Sequence, residues 1–180
     1  MADSCNLKSE QQLLFDKISL NVLTKLADFD QLSSVNFFAE EGVPESSLIR
    51  WGKVNEPYLI PDDLASFYSM FNGFKLRWDV LIGAKHVTVG DMQLNGLNDL
   101  KPVTSSHLAA FTLSSHCDVG DLVLVYDSLS SDESISSTVR PTMKTEIWFR
   151  DSKAEWHYVC STFTHLFRLM VTHLGKGLIL

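Results

Sequence analysis

Cysteine is scarce in this 180-residue sequence, and Cys5, Cys117 and Cys160 are far apart and odd in number. A small secreted domain stapled by disulfides carries a denser, even set, so reduced thiols in a cytosolic protein are expected. Long hydrophobic runs are missing as well. The most apolar stretch, Leu166 to Leu180, is broken by Arg168, His173 and Lys176, and it falls short of the about 18 uninterrupted apolar residues a membrane span needs. The N-terminus, Met1 to Glu10, has no apolar segment of the signal-peptide kind. A soluble protein is expected. Positive charge is in deficit: 15 Lys and Arg against 22 Asp and Glu leave a net charge of −7. Such a chain is not drawn to nucleic-acid phosphates or anionic lipid.

The signatures of common chemistries are missing too. Neither a P-loop nor a Gly-x-Gly-x-x-Gly dinucleotide turn occurs, and the nine glycines are scattered at turns. No Gly-x-Ser-x-Gly elbow or catalytic cysteine signature is present. Cys117 and Cys160 adjoin apolar segments and read as buried, inert thiols. His157, Cys160, His165 and His173 are close in sequence, but two histidines eight apart on a helix lie about 12 Å apart along its axis, too far to share one ion. The pair Asp62-Asp63 serves a helix start, and Asp132-Glu133 falls in a polar loop. No catalytic, cofactor-binding or metal-binding residue is therefore assigned. One enzymatic alternative stays open, a hydrolase fragment using His157 with Asp151 or Glu155.

What is present is a clear run of amphipathic elements. Leu14, Ile18, Val22 and Leu26 recur every four residues and predict one helix from about Ser9 to Phe29, with Ser9 and Gln12 as a capping box. A shorter helix is expected over Glu45 to Asn55. Ile60 to Gly73 gives the strongest local signal: Pro61 at the first helical position, Asp62 and Asp63 at the dipole's positive end, and Leu64, Phe67, Tyr68 and Phe71 on one face. Gly73 is expected to end this helix.

The period then changes to 2. Phe74, Leu76, Trp78 and Val80 alternate with Lys75, Arg77 and Asp79 as a half-buried strand. Further strands are expected at His86–Gly90, Ala110–Ser114, Asp121–Tyr126, Thr145–Arg150 and Glu155–Val159, with Gly90 marking a bend or bulge. The Asp121–Tyr126 run is nearly all apolar and so reads as a central strand covered on both faces. Residues 127–143 lack periodicity and read as a mobile loop with phosphorylatable serines. A last helix starts near Ser161 or Thr162 and closes at Gly175. The expected fold is a single α+β domain over residues 1–180, core about 9–175: N-terminal helices, a mainly antiparallel meander of about six strands, and a C-terminal helix packed on the sheet.

The segment Pro61-Asp-Asp-Leu-x-x-Phe-Tyr-x-x-x-Asn-Gly-Phe74 resembles the signature of the SUKH superfamily. A closer resemblance lies downstream. Trp78, Val89-Gly-Asp-Met92, Thr145-Glu-Ile-Trp-Phe-x-Asp151, Trp156-His157, Thr162-Phe-Thr164, Arg168-Leu169 and Thr172-His-Leu-Gly175 are similar to the tubulin polyglutamylase complex subunit 2 family. The resemblance covers roughly Leu48 to Gly175. It implies a non-catalytic adaptor in a complex whose glutamylase is a separate tubulin-tyrosine-ligase-like enzyme with its own ATP site. The implied partners are other subunits of that complex, with tubulin and microtubules reached indirectly and neither nucleic acid nor membrane involved. The implied location is cytoplasmic and microtubule-associated, including the centrosome or cilium base.

A generic SUKH-type binding module unrelated to tubulin is the alternative. Contact residues are expected among Trp51, Arg77, Trp78 and Arg150, because Trp and Arg are enriched at hot spots. Core packing is the competing reading for both tryptophans.

Overall fold

The computed structural model describes residues 9–103, 108–116, 119–126 and 143–174. It is an α+β fold with seven strands in two antiparallel sheets. The amphipathic N-terminal segment forms two helices rather than one, α1 (Glu10–Ile18) and α2 (Val22–Ala27), because Leu20 and Asn21 turn into the left-handed region. Ser9 and Gln12 form the expected capping box on α1. Asp16 makes the break stable. Its buried carboxylate accepts the Leu23 and Thr24 amides and the Thr24 hydroxyl, supplying α2 with the cap that Asn21 does not.

A strand that the sequence pattern does not predict follows, β1 (Leu32–Glu41). Next come α3 (Glu45–Val54) and α4 (Asp62–Met70), then the hairpin β2 (Phe71–Ile82) and β3 (Lys85–Leu94). Pro61 stands one place earlier than expected, as the N-cap of α4. Asp63 has two tasks: one carboxylate oxygen accepts the Leu64 amide at 2.9 Å, and the other accepts the Thr164 amide of the distant C-terminal helix at 2.8 Å. The α4 helix also stops sooner than its periodicity suggests. Phe71 already has extended backbone and opens β2, fully buried. The Asn-Gly pair therefore lies inside the strand. Gly73 (φ +84°) approaches the next strand so closely that a Cβ would sit 2.6 Å from the Leu94 carbonyl, while Asn72 accepts the Leu97 amide and donates to Glu40.

The first sheet runs β1-β2-β3. A 3-10 turn at Leu97–Asp99 leads on to the second sheet, β4 (Ala109–His116), β5 (Gly120–Tyr126), β6 (Thr145–Asp151) and β7 (Trp156–Cys160), paired in that order. The C-terminal helix α5 (Phe163–His173) follows. Its N-cap is Thr162, and Leu174 takes the left-handed position at its end. Residues 127–142, Cys5, Cys117 and Gly175 lie outside the described residues.

Both sheets turn one face to a shared core. Phe74, Leu76, Trp78 and Met92 of the first meet Phe111, Leu124, Ile147 and Phe149 of the second, with Phe15, Phe67, Phe163 and Phe167 of the helices filling the space between. The rings touch edge to face or tilted, as in Phe67–Phe163 at 5.1 Å and Phe15–Phe37 at 4.5 Å, the geometry that aromatic quadrupoles favour. β5 is central, and its alternate residues serve two layers. Leu122, Leu124 and Tyr126 enter the shared core, whereas Val123 and Val125 join a second apolar cluster with Val103 and Ala110.

Candidate functional site

The strands of the second sheet place their inward residues in the core and leave a distinct outer face. Along β6, Ile147 and Phe149 point inward, so Glu146, Trp148 and Arg150 must point out. The register then puts Tyr158 of β7 beside Trp148 and Trp156 beside Arg150, while Asp121 and Val123 of β5 flank them on the other side. Trp148 and Trp156 cap the second apolar cluster, in which Val123 is fully buried. Tyr158 meets Trp148 edge to face at 5.6 Å and is 55% exposed.

Polar groups fix these rings in place. The Trp148 indole N–H donates to Glu146 at 3.1 Å, and the Lys144 ammonium reaches the other Glu146 oxygen at 2.7 Å. The Lys144 contact, then the indole, hold the Glu146 carboxyl below the usual carboxylate range. Arg150 donates to Asp121 at 2.6 Å across the β5–β6 pair. The face thus joins three half-exposed aromatic rings to a tethered guanidinium, the residue types that dominate binding energy at protein interfaces.

Of the residues expected from sequence to make contacts, Arg150 lies on this face. Arg77 lies on the outer face of the first sheet, half exposed, its Nε 3.2 Å from Asp79. Asp79 also accepts from the hydroxyls of Thr88 and Ser34, which together with Arg77 lower its pKa. Trp51 and Trp78 are core residues. Trp51 packs edge to face on Phe111 at 5.0 Å and is 8% exposed. Trp78 is 2% exposed, and its ring occupies the space a side chain at position 90 would need: a Cβ on Gly90 would stand 1.9 Å from the indole. The bulge expected near Gly90 is present, between the Trp78–Gly90 and Asp79–Thr88 pairs.

Sequence reasoning did not select Trp148, Trp156 or Tyr158 as contact residues. The available signal was their alternation with Ile147, Phe149 and Val159, together with Arg150 in the same strand.

The hydrolase alternative rested on His157 with Asp151 or Glu155, and the polar ends of these three side chains do lie within 4.8 Å of one another. The turn accounts for that. One Asp151 oxygen accepts the Lys153 and Glu155 amides, closing the β6–β7 connection, and the other stands 3.5 Å from His157. The Glu155 and Lys153 amides, with His157, hold the Asp151 carboxyl low. Glu155 and His157 are exposed, and three clefts found in the molecule are lined by other residues. Cys160 faces the core, and burial raises its thiol pKa. His165 and His173 are exposed on α5. Among the described residues no helix is long and apolar enough to cross a membrane.

No family model and no solved structure matches this chain. Curated proteins do. The chain is 25% identical over 186 residues to tubulin polyglutamylase complex subunit 2 of Rattus norvegicus, covering 89% of this chain and 62% of that protein. The Mus musculus protein of the same name gives the same figures. For the Homo sapiens protein the identity is 26% over 197 residues, with 89% of this chain and 61% of the relative covered. The resemblance first drawn from short motifs thus extends along most of the chain. The chain spans about three fifths of the length of these relatives.

Proposed function

We propose that this chain is a non-catalytic docking subunit of a tubulin polyglutamylase complex, holding other subunits through the outer face of its four-stranded sheet. One observation carries the reading. The residues on which the resemblance is most specific, Trp148 and Trp156, lie side by side with Arg150 on one sheet face and are held there by Glu146 and Asp121. Half-exposed tryptophans over a closed apolar layer, with a paired arginine at their edge, suit a partner that completes the burial.

Glutamate ligation to tubulin needs an ATP site, and the sequence carries no phosphate-cradling motif. That chemistry belongs to a tubulin-tyrosine-ligase-like subunit. A net charge of −7 also opposes direct attraction to the acidic tails of tubulin, so contact with microtubules runs through partners and the protein works in the cytoplasm at the cytoskeleton.

Affinity purification of the tagged chain from ciliated cells tests this. Glutamylase-complex subunits are expected to co-purify with the parent chain and to be lost with Trp156→Ala plus Arg150→Ala. Recovery of partners without any glutamylase subunit would favour a generic binding module of the SUKH type. Pelleting of the purified chain alone with microtubules at physiological salt would overturn the indirect route to tubulin.

A further inference from the structure

The outer face of the four-stranded sheet has a hydrogen-bonding character of its own. Its charges are paired. Lys144 and the Trp148 indole N–H occupy the two oxygens of Glu146, and Arg150 holds Asp121 at 2.6 Å. Trp156 and Tyr158 differ from Trp148 in this respect, since neither side chain makes a hydrogen bond among the described residues. Trp156 is half-buried, yet its indole N–H is not sealed from solvent. The face therefore presents three aromatic rings and two unengaged donors, one indole N–H and one phenol O–H, while its carboxylates are already engaged. The rings also have a spacing. Tyr158 stands beside Trp148 with centroids 5.6 Å apart, and Trp156 lies two residues along the same strand. The diagonal from Trp148 to Trp156 across the β6–β7 pair spans about 7–8 Å, near the ~9 Å turn of a polyproline II helix.

Three kinds of segment can meet such a face, and their backbones distinguish them. An α-helix bonds its own carbonyls and leaves none for the two donors. A β-strand needs amides and carbonyls to pair with, which the edge of a sheet presents and its face does not. A proline-rich segment has no N–H at its prolines and no internal hydrogen bonds, so its carbonyls are left to accept from outside. Its pyrrolidine rings pack on aromatic side chains, and its conformation is set before it binds. Acceptors without donors, on a prefixed apolar rod, match rings with unengaged donors. Charge points the same way: with the two cations and the two carboxylates of the face already matched, an uncharged segment leaves no charge buried without a partner.

We propose that this face binds an uncharged, proline-rich segment of a partner protein in the polyproline II conformation. The Trp156 indole N–H and the Tyr158 hydroxyl donate to its carbonyls, and its prolines pack on the rings of Trp148, Trp156 and Tyr158. The proposal rests on the docking role argued above and names the kind of segment that fills it.

The test uses the whole purified chain and two fluorescein-labelled peptides of equal length, one of Pro-Pro-Gln repeats and one with alanine at every proline. In fluorescence anisotropy the proline peptide is expected to bind at least about tenfold more tightly than the alanine peptide. Trp156→Phe, which keeps a ring and removes the N–H, is expected to weaken proline-peptide binding by about three- to tenfold, the worth of one hydrogen bond. In proton–nitrogen NMR spectra the proline peptide should move the indole signal of Trp156 and leave those of the core residues Trp51 and Trp78 in place. Equal affinity for both peptides, unchanged affinity in Trp156→Phe, an unmoved Trp156 indole signal, or no binding of the proline peptide each overturns the proposal. The peptide comparison and the indole signals are read on the parent chain, so the test stays decisive even if the variant fails to fold. If glutamylase subunits co-purify and are lost with Trp156→Ala plus Arg150→Ala while the proline peptide does not bind, the docking role stands and its proline-rich occupant is rejected. Proline-peptide binding without capture of glutamylase subunits keeps the occupant and rejects the glutamylase complex.

Discussion

Each sheet turns an alternating set of side chains away from the shared core, and the two outer faces differ in kind. On the three-stranded sheet, Lys75, Arg77 and Gln93 make a polar surface interrupted by Phe38, which is 65% exposed, and by the exposed Leu81. On the four-stranded sheet the outer face begins as a hydrophobic layer, with Val123 and Val125 buried, and its second tier of Trp148, Trp156 and Tyr158 reaches solvent beside Arg150 and Lys144. The second sets aromatic rings beside a tethered guanidinium, and this contrast underlies the docking reading proposed above. Breaking the contrast by mutation gives effects that fall in a definite order.

The largest concerns two tryptophans that look alike in sequence. Trp78→Ala is expected to cost about 3–5 kcal/mol, because it empties a core site that is 2% exposed. Trp156→Ala, on a half-buried ring, should cost about 1 kcal/mol while abolishing partner capture. Urea unfolding beside a pull-down measures both. If Trp156→Ala unfolds the protein as badly as Trp78→Ala, the outer face of the second sheet is core and not a docking surface.

Next is Gly90→Ala. Its added methyl would meet the Trp78 indole at 1.9 Å, and displacing a packed ring costs about 1–3 kcal/mol. Trp78→Leu should relieve the clash, so the double variant is expected to be more stable than the sum of the single losses predicts. Additive losses would mean that the glycine is needed for backbone reasons at the bulge.

These two predictions locate the limit of what the sequence conveys. The change of period after Asn72-Gly73, the central place of Asp121–Tyr126, and the hairpins around Gly83 and Ala154 are local patterns, and they form as expected. β1 is missed because Phe38, on its outer side next to Phe37, breaks the alternation of Val35, Phe37 and Ala39 with polar residues. The break between α1 and α2 is missed because the capping carboxylate, Asp16, is seven residues from the amide it serves, outside the three-residue spacing of an ordinary cap. Face assignment is set by packing: Trp78 alternates with the charged Arg77 and Asp79 and is buried, whereas Trp148 alternates with the buried Ile147 and Phe149 and stays half exposed. Of the expected contact residues, the two arginines were legible as surface, and core packing, the competing reading for the two tryptophans, is where the structure puts them.

A smaller effect separates the arginines. Arg150→Ala, beside the aromatic tier, is expected to weaken partner binding by about tenfold, as loss of a rim-anchoring hot spot does. Arg77→Ala should leave binding unchanged and stability altered by less than about 1 kcal/mol, since its ion pair with Asp79 is half exposed. Equal losses of binding would extend the interface across both sheets.

The smallest effect compares the carboxylates that each face holds below the ordinary range, Asp79 on the first and Glu146 on the second. Lowered acids stabilise the fold above the unfolded-state value near ~4, and that contribution disappears as the pH falls through the lower folded-state value. Acid titration should therefore show stability lost below about pH 4–5, with Asp79→Asn and Glu146→Gln each flattening part of the decline. The two should respond differently to salt. Asp79 is held first by the Thr88 and Ser34 hydroxyls, which salt does not screen, whereas Glu146 is held first by Lys144, which is 61% exposed. In carboxyl-detected NMR titrations, 0.5 M salt (Debye length about 4 Å) is expected to raise the Glu146 midpoint and leave that of Asp79 nearly in place. Equal shifts would mean that Arg77, and not the hydroxyl pair, sets the Asp79 charge, and the polar face would then be electrostatic in the same sense as the aromatic one.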